Sequence, residues 1–228
     1  MRRHTASPTR ESAAASLEPV LAVARTFALA GVDAVPIDAE VDIHRGLPSF
    51  AVVGLPDAAV RESRERVRAA IVNSGCDFPL QRITVSLAPA EMRKAGPGFD
   101  LAIAAAILAA SDQLPGELLS RWAFAGELGL DGGVRPVRGT LAMAEAARDA
   151  GARGLVVAEA NAAEAALVGG LDVAPIASIG ELTPLGSGEW EGHPLPPAPG
   201  GSSSPRPTRL RRPSSAGSKS RRSLRSAS

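Results

Sequence analysis

Apolar and polar residues alternate through LAVARTFALAGVDAVPIDAEVDI, residues 21–43, in two stretches on either side of Ala30-Gly31. Successive strand side chains point to opposite faces, so this pattern predicts two half-buried strands joined at a glycine turn. PSFAVVG, residues 48–54, predicts a third short strand beside them. The period then lengthens. Val60, Val67, Ala70 and Ile71 recur on one stripe of a helix that Asp57 is placed to cap and Asn73-Ser74-Gly75 to end. Its opposite face, RESRER, reads as solvated, with Glu62 and Arg66 four apart; phosphate contact by Arg61, Arg64, Arg66 and Arg68 is the alternative use.

Further on, RITVSLA predicts a strand over 82–88 that Pro89 stops. Residues 99–110 are apolar almost all round a helix, which predicts burial on every side, and turn residues follow at 111–116. Short strands are expected at 122–126 and 134–137 around GELGLDGG, where Asp131-Gly132 suits a tight hairpin turn. An Ala-rich helix spans 141–150 and stops at Gly151, and a buried strand follows at 155–157. Asn161 with Glu164 three later predicts a capping box opening a helix over 161–168. A last strand is expected at 172–176, and a helix from Ser178 that Pro184 cuts short. Strands interleaved with helices give an α/β (α+β) domain over residues 21–183. A disordered leader, 1–20, and a disordered Pro/Ser/Arg-rich tail, 184–228, are expected on either side.

Composition sharpens this picture. Apolar residues make up 45% of the 228, but only 3% are aromatic and there is no Tyr, so Ala, Val, Leu and Ile must fill the core and base-stacking platforms are scarce. The net charge of +1 hides an asymmetry: residues 201–228 hold eight basic side chains and no acid, leaving 17 basic against 24 acidic in the first 200. Arg206, Arg209, Arg211, Arg212, Arg221 and Arg222 make the tail a candidate for nonspecific, salt-dependent nucleic-acid contact. Cys76 is the only cysteine, which excludes an internal disulfide and a Cys-rich zinc site and fits a reducing cytoplasmic setting. No apolar run reaches the roughly 20 residues needed to span a bilayer, and no secretory signal is visible, so no membrane partner is expected.

Candidate chemistry is sparse. A phosphate-cradling loop needs a lysine after glycine, and Lys94 and Lys219, the only two, follow Arg93 and Ser218. No cofactor is therefore expected in this chain. Gly126, Gly129, Gly132 and Gly133 have the wrong spacing for a dinucleotide site, and His4, His44 and His193 are too scattered to hold a metal. A serine nucleophile needs a base, and His44 and Lys94 are the only candidates in the fold. None of Ser49, Ser63, Ser74, Ser86, Ser111, Ser120 and Ser178 sits in a nucleophile-elbow pattern. RKAGPGFDLAIAAAI, residues 93–107, reads as a tight turn at Gly96-Pro97-Gly98 entering a buried helix, with Asp100 capping that helix or pairing with an arginine such as Arg93. Lys94 has no evident hydroxyl partner.

Several long motifs in order carry a resemblance. The run from GVDAVPIDAEVDIHRGLPSF through VVGLPDAAVRESRERVRAAI to LAPAEMRKAGPGFDLAIAAAILAA, then FAGELGLDGGVRPVRGTLAMAEAAR and GLVVAEANAAEAALVGGLDV, resembles the amino-terminal domain of the ComM/YifB family of magnesium-chelatase-like competence proteins. The resemblance covers about residues 21–183. It implies a Lon-protease-like domain with a mixed sheet, ahead of an AAA+ ATPase module in a hexameric helicase that processes DNA during natural transformation. ATP and magnesium would serve that module, expected to begin near residue 200, where an Arg/Ser/Pro string suggests a truncated or frameshifted gene. Proteolytic Lon domains keep a serine and a lysine at positions that match Gly98 and Leu141 here, and neither residue can act as nucleophile or base. The resemblance thus implies a noncatalytic assembly or regulatory domain, partnered by itself, an AAA+ motor or DNA. A residual serine hydrolase and a tail-based nucleic-acid binder are the alternatives.

Overall fold

The computed structural model describes residues 20–189; the leader expected before Val20, and the tail beyond Glu189 with Arg206, Arg209, Arg211, Arg212, Arg221 and Arg222, lie outside the described residues. The predicted hairpin is the spine of the fold. Strand β1 (Val20–Ala30) runs antiparallel to β2 (Asp33–His44) through a turn at Gly31, whose φ of +68° favours a residue without a Cβ. Strand β3 (Ser49–Val53) does not pair with the hairpin directly, because β4 (Arg82–Ala88) stands between it and β2. Helix α1 (Ala58–Asn73) is the parallel crossover from β3 to β4, and it buries the predicted stripe of Val60, Val67, Ala70 and Ile71.

The chain then enters α2 (Asp100–Ala110) through a single 3-10 turn, Pro97–Phe99. Two short elements follow: α3 (Gly116–Arg121), where the sequence pattern gives only turn signals, and β5 (Trp122–Ala125). The expected pairing of 122–126 with 134–137 is corrected. β5 joins the main sheet beside β1, and the hairpin is a separate ribbon of β6 (Glu127–Leu128) with β7 (Val134–Arg135). Helix α4 (Thr140–Asp149), β8 (Gly154–Ala158), α5 (Ala162–Ala165), β9 (Asp172–Ile176) and α6 (Leu182–Ser187) complete the order. The result is a mixed α/β fold around a seven-stranded sheet in the order β3-β4-β2-β1-β5-β8-β9.

The two halves of this sheet differ, and the sequence pattern says why. β5, β8 and β9 are covered by α2 and α6 on one side and by α4 and α5 on the other, so WAFA and GLVVA are buried at every position. β4, and β2 from Ile37 onward, alternate buried with partly exposed residues, while the start of β2 also meets α4 through Ala34. All of α2 except Ala109 is buried, as its uniform apolarity predicts.

Two local expectations fail for physical reasons. Asn161 and Glu164 form no capping box: the Asn161 amide is engaged by both backbone groups of Val137, and the Glu164 carboxylate accepts from the Leu141 amide. The capping box lies at Ser178 and Glu181 instead, before α6. Pro184 does not cut that helix, because it sits within the first turn, where no intrahelical N–H bond is required. Leu185, one residue later, is buried in the core.

Gly154 opens β8 under the Trp122 ring, and a Cβ there would also lie 2.6 Å from the Asp172 carbonyl oxygen. That oxygen belongs to the neighbouring strand and cannot retreat without opening the ladder. Gly154→Ala is therefore expected to lower unfolding free energy by about 1–3 kcal/mol. Urea denaturation checks this, with a lower midpoint at an unchanged slope.

A cavity beside the Gly-Pro-Gly turn

The segment between β4 and α2 is held from several directions. Gly54, at φ +97°, approaches β4 so closely that a Cβ would strike the Leu87 carbonyl oxygen. The chain beyond it then runs beside the loop, with Lys94 N donating to Leu55 O at 3.2 Å and Asp57 N donating to Lys94 O at 3.0 Å. The Asp57 carboxylate caps α1 as predicted, accepting from Val60 N at 2.8 Å, and its other oxygen accepts from Gly96 N at 3.2 Å. One side chain thus fixes both a helix start and the glycine turn. At the far side, Gly126 N donates to Gly98 O at 3.2 Å and Leu101 N to Gly126 O at 3.1 Å.

Asp100 is fully buried just past the turn. Its carboxylate accepts from Arg66 Nε at 2.7 Å and Arg66 Nη2 at 3.1 Å, from the Ser63 hydroxyl, and from Leu128 N at 3.2 Å. This corrects two readings. Asp100 does not cap α2; it pairs with an arginine as expected, but with Arg66 rather than Arg93, and Arg66 with Ser63 leaves the solvated face of α1 to meet it. A buried carboxylate needs hydrogen-bond donors, and one turn of α1 supplies three of these four, with the Leu128 amide as the fourth. Burial pushes the Asp100 carboxyl above its ordinary 3.8, against the pull of Arg66, Ser63 and the Leu128 amide; the Asp100 hydrogen bond raises Arg66 in turn.

The other α1 arginines stay at the surface. Arg61 and Arg64 donate to the backbone carbonyls of Pro56, Arg61 and Phe50, and Arg68 lies 5.6 Å over the Phe78 ring. Lys94 is buried, its amine donating to the Pro89 carbonyl, and desolvation lowers its pKa. His44 pairs with Asp42 at 3.0 Å on β2.

Between the turn, β1 and the exit from the β6–β7 ribbon lies a cavity of about 420 Å³. Phe27, Ala28 and Leu29 form one wall, and Ala95 to Phe99 a second with Arg93 at its start. Pro136, Val137, Arg138 and Met143 form the third, and Glu127 joins them. Gly98 is therefore at the cavity, where an added Cβ would meet only Val137, at 3.6 Å. Leu141 is not: it is 38% exposed and outside the lining. Asn161, unforeseen as a site residue, holds the third wall through Val137 N and O, each at 2.9 Å. Its sequence signal was present but pointed to a helix cap. Among the described residues, no group of three or more His, Cys, Asp or Glu could hold a metal, and no helix is long and apolar enough to cross a membrane.

Comparison with known proteins adds a family. Residues 39–161 match the family described as subunit ChlI of Mg-chelatase. A protein of Mycobacterium tuberculosis strain H37Rv is 46% identical over 164 residues, 71% of this chain and 33% of that relative. YifB of Salmonella typhimurium is 49% identical over 148 residues, 65% of this chain and 29% of its own. The competence protein ComM of Haemophilus influenzae is 45% identical over 148 residues, with the same coverage. The chain thus spans about a third of the length of the curated relatives it matches.

Asp100 makes the energetics testable. Asp100→Ala strands Arg66, Ser63 and the Leu128 amide, and is expected to lower unfolding free energy by about 3–5 kcal/mol in urea denaturation. Asp100→Asn keeps the shape and costs less. Because the folded pKa is raised, the folded state holds the proton more tightly, and stability falls as pH rises from 3.8 through the folded value. Wild type should lose stability relative to Asp100→Asn across that window, and parallel pH profiles would contradict this.

Proposed function

The chain belongs to the family described as subunit ChlI of Mg-chelatase, and on that premise we propose that it is a noncatalytic assembly or regulatory domain of a ComM/YifB-type AAA+ ATPase. The observation that carries the noncatalytic half is the lining of the cavity at Gly98, which includes no Ser, Thr, Cys, His, Lys or Tyr. Its one acid, Glu127, is engaged by Arg135 at 3.4 Å. Lys94, the only lysine among the described residues, donates to a backbone carbonyl and lies outside that lining. The lining thus offers no hydroxyl, thiol or amine nucleophile, and its one carboxylate is ion-paired.

The Lon-like ancestry of the domain, its cytoplasmic location and its service to a DNA-processing motor belong to the same proposal. The name of the Haemophilus relative supports the link to competence. ATP and magnesium are assigned to the motor module, since neither lysine of this chain follows a glycine. The partners are that module or further copies of the chain. Any direct DNA contact falls to Arg206, Arg209, Arg211, Arg212, Arg221 and Arg222. A version ending at Ser187 should then lose the salt-dependent DNA affinity of the full chain, whereas equal affinity would move the contact into the body.

The noncatalytic reading is tested with a fluorophosphonate probe on the folded chain, where no labelling is expected. Gly98→Ser should fold with little change in Tm, since its Cβ has room against Val137, and should also stay unlabelled for want of a base. Labelling of wild type at a single serine would overturn the reading in favour of a residual hydrolase. Assembly is read by adding the chain to an AAA+ module of a relative: a changed ATPase rate or oligomer size is expected, and no change in either counts against it.

A further inference from the structure

We propose that the cavity at Gly98 binds an apolar group that ends in a carboxylate, an inference that rests on the noncatalytic reading of the same site. The apolar part faces Phe27, Phe99, Val137 and Met143, and the carboxylate faces Arg93 and Arg138. A volume of about 420 Å³ falls in the range of small-ligand sites rather than of packing defects.

Three observations carry the assignment. First, the turn offers little side chain to fill the space it borders: Gly96 and Gly98 have none, Ala95 has a methyl group and Pro97 only its ring. Second, five arginines pair with carboxylates, Arg25 with Asp38, Arg66 with Asp100, Arg135 with Glu127, Arg148 with Asp149 and Arg153 with Asp172, while Arg61, Arg64 and Arg68 engage backbone carbonyls or the Phe78 ring. Arg93 and Arg138 line the cavity and have no such partner among the described residues. Third, Glu127, the one acid in the lining, already has an arginine partner in Arg135, at 3.4 Å, so the lining keeps two arginines against one paired carboxylate. Guanidinium groups match carboxylates with two parallel hydrogen bonds, and the apolar wall beside them receives the rest of such a ligand. A neutral apolar ligand would leave both arginines unmatched. A small inorganic anion would leave the wall unused.

Two sources share this chemistry: a free aliphatic or aromatic acid, and the C-terminal residue of a peptide with an apolar side chain. Amide-resonance NMR titration of the full chain separates them with three probes: phenylacetate, acetyl-Ala-Leu-Phe with a free carboxylate, and the same peptide amidated. Shifts centred on Gly98, Phe99 and Val137 are expected for the free-carboxylate peptide, with at least tenfold weaker binding of the amide. Phenylacetate binding as well would identify free acids as sufficient; peptide binding alone would identify a chain terminus. Arg93→Gln and Arg138→Gln should each weaken binding about tenfold, as loss of one charge-assisted bond implies, with Tm unchanged because both side chains are exposed. Equal binding of the amide, or no shift near Gly98 with any probe up to about 10 mM, overturns the proposal. Neither result bears on fluorophosphonate labelling, so the two readings fail separately.

Discussion

The arrangement of this fold depends on keeping the Asp100 carboxylate satisfied out of water. Its donors come from α1 through Ser63 and Arg66 and from β6 through the Leu128 amide, while Asp100 itself begins α2. Three elements far apart in sequence must therefore meet at one point, because an unpartnered buried charge costs several kcal/mol. Nondirectional contact between the apolar faces of α1 and α2 does not by itself single out one register. The carboxylate accepts only one. It turns a nonspecific hydrophobic contact into a fixed crossing, and the glycine turn preceding Asp100 inherits its position from that crossing.

The scarcity of aromatic residues has a matching consequence in the core. Ala102, Ala104, Ala105 and Ala106 are buried on α2, and Ala24, Thr26 and Ala28 face it from β1. Small side chains on both surfaces let the helix approach the sheet closely, so many weak dispersion contacts replace a few large ones. Such a core leaves little slack. Thr26 keeps a buried hydroxyl with no partner among the described residues, a local cost that the close packing of its neighbours must offset.

What could be read from the sequence, and what could not, follows the range of the interactions. The period of apolar residues in α1, the uniform apolarity of α2 and the alternation in β2 and β4 each report burial that the element imposes on itself. Long-range polar partners leave no such trace. Arg66 lies 34 residues from Asp100, and its spacing to Glu62 suggests a surface pair that exists only at 4.0 Å. Asn161 with Glu164 and Ser178 with Glu181 have the same spacing, yet only the second is a capping box. In the first pair both side chains find tertiary partners, Val137 and Leu141, that outcompete the local amides. At the candidate site Gly98 was legible as a position without chemistry, but its neighbours in space, Phe27, Val137 and Met143, come from elements that only the tertiary fold brings together.

The same polar contacts explain why a cavity without reactive groups keeps a defined shape. Asp57 fixes Gly96, the Gly98 carbonyl is tied to Gly126, and Asn161 grips both backbone groups of Val137. The turn and the Val137 wall are thus anchored by residues that lie outside the cavity itself, and the remaining wall is part of β1. Loops left to themselves would relax into such a space and fill it with their own side chains, since empty volume forfeits dispersion contacts. Here the turn has almost no side chains to offer, and its backbone is bonded on both sides. A site preorganised in this way binds without the cost of ordering its loops, so even the modest contact area of a small ligand can yield measurable affinity.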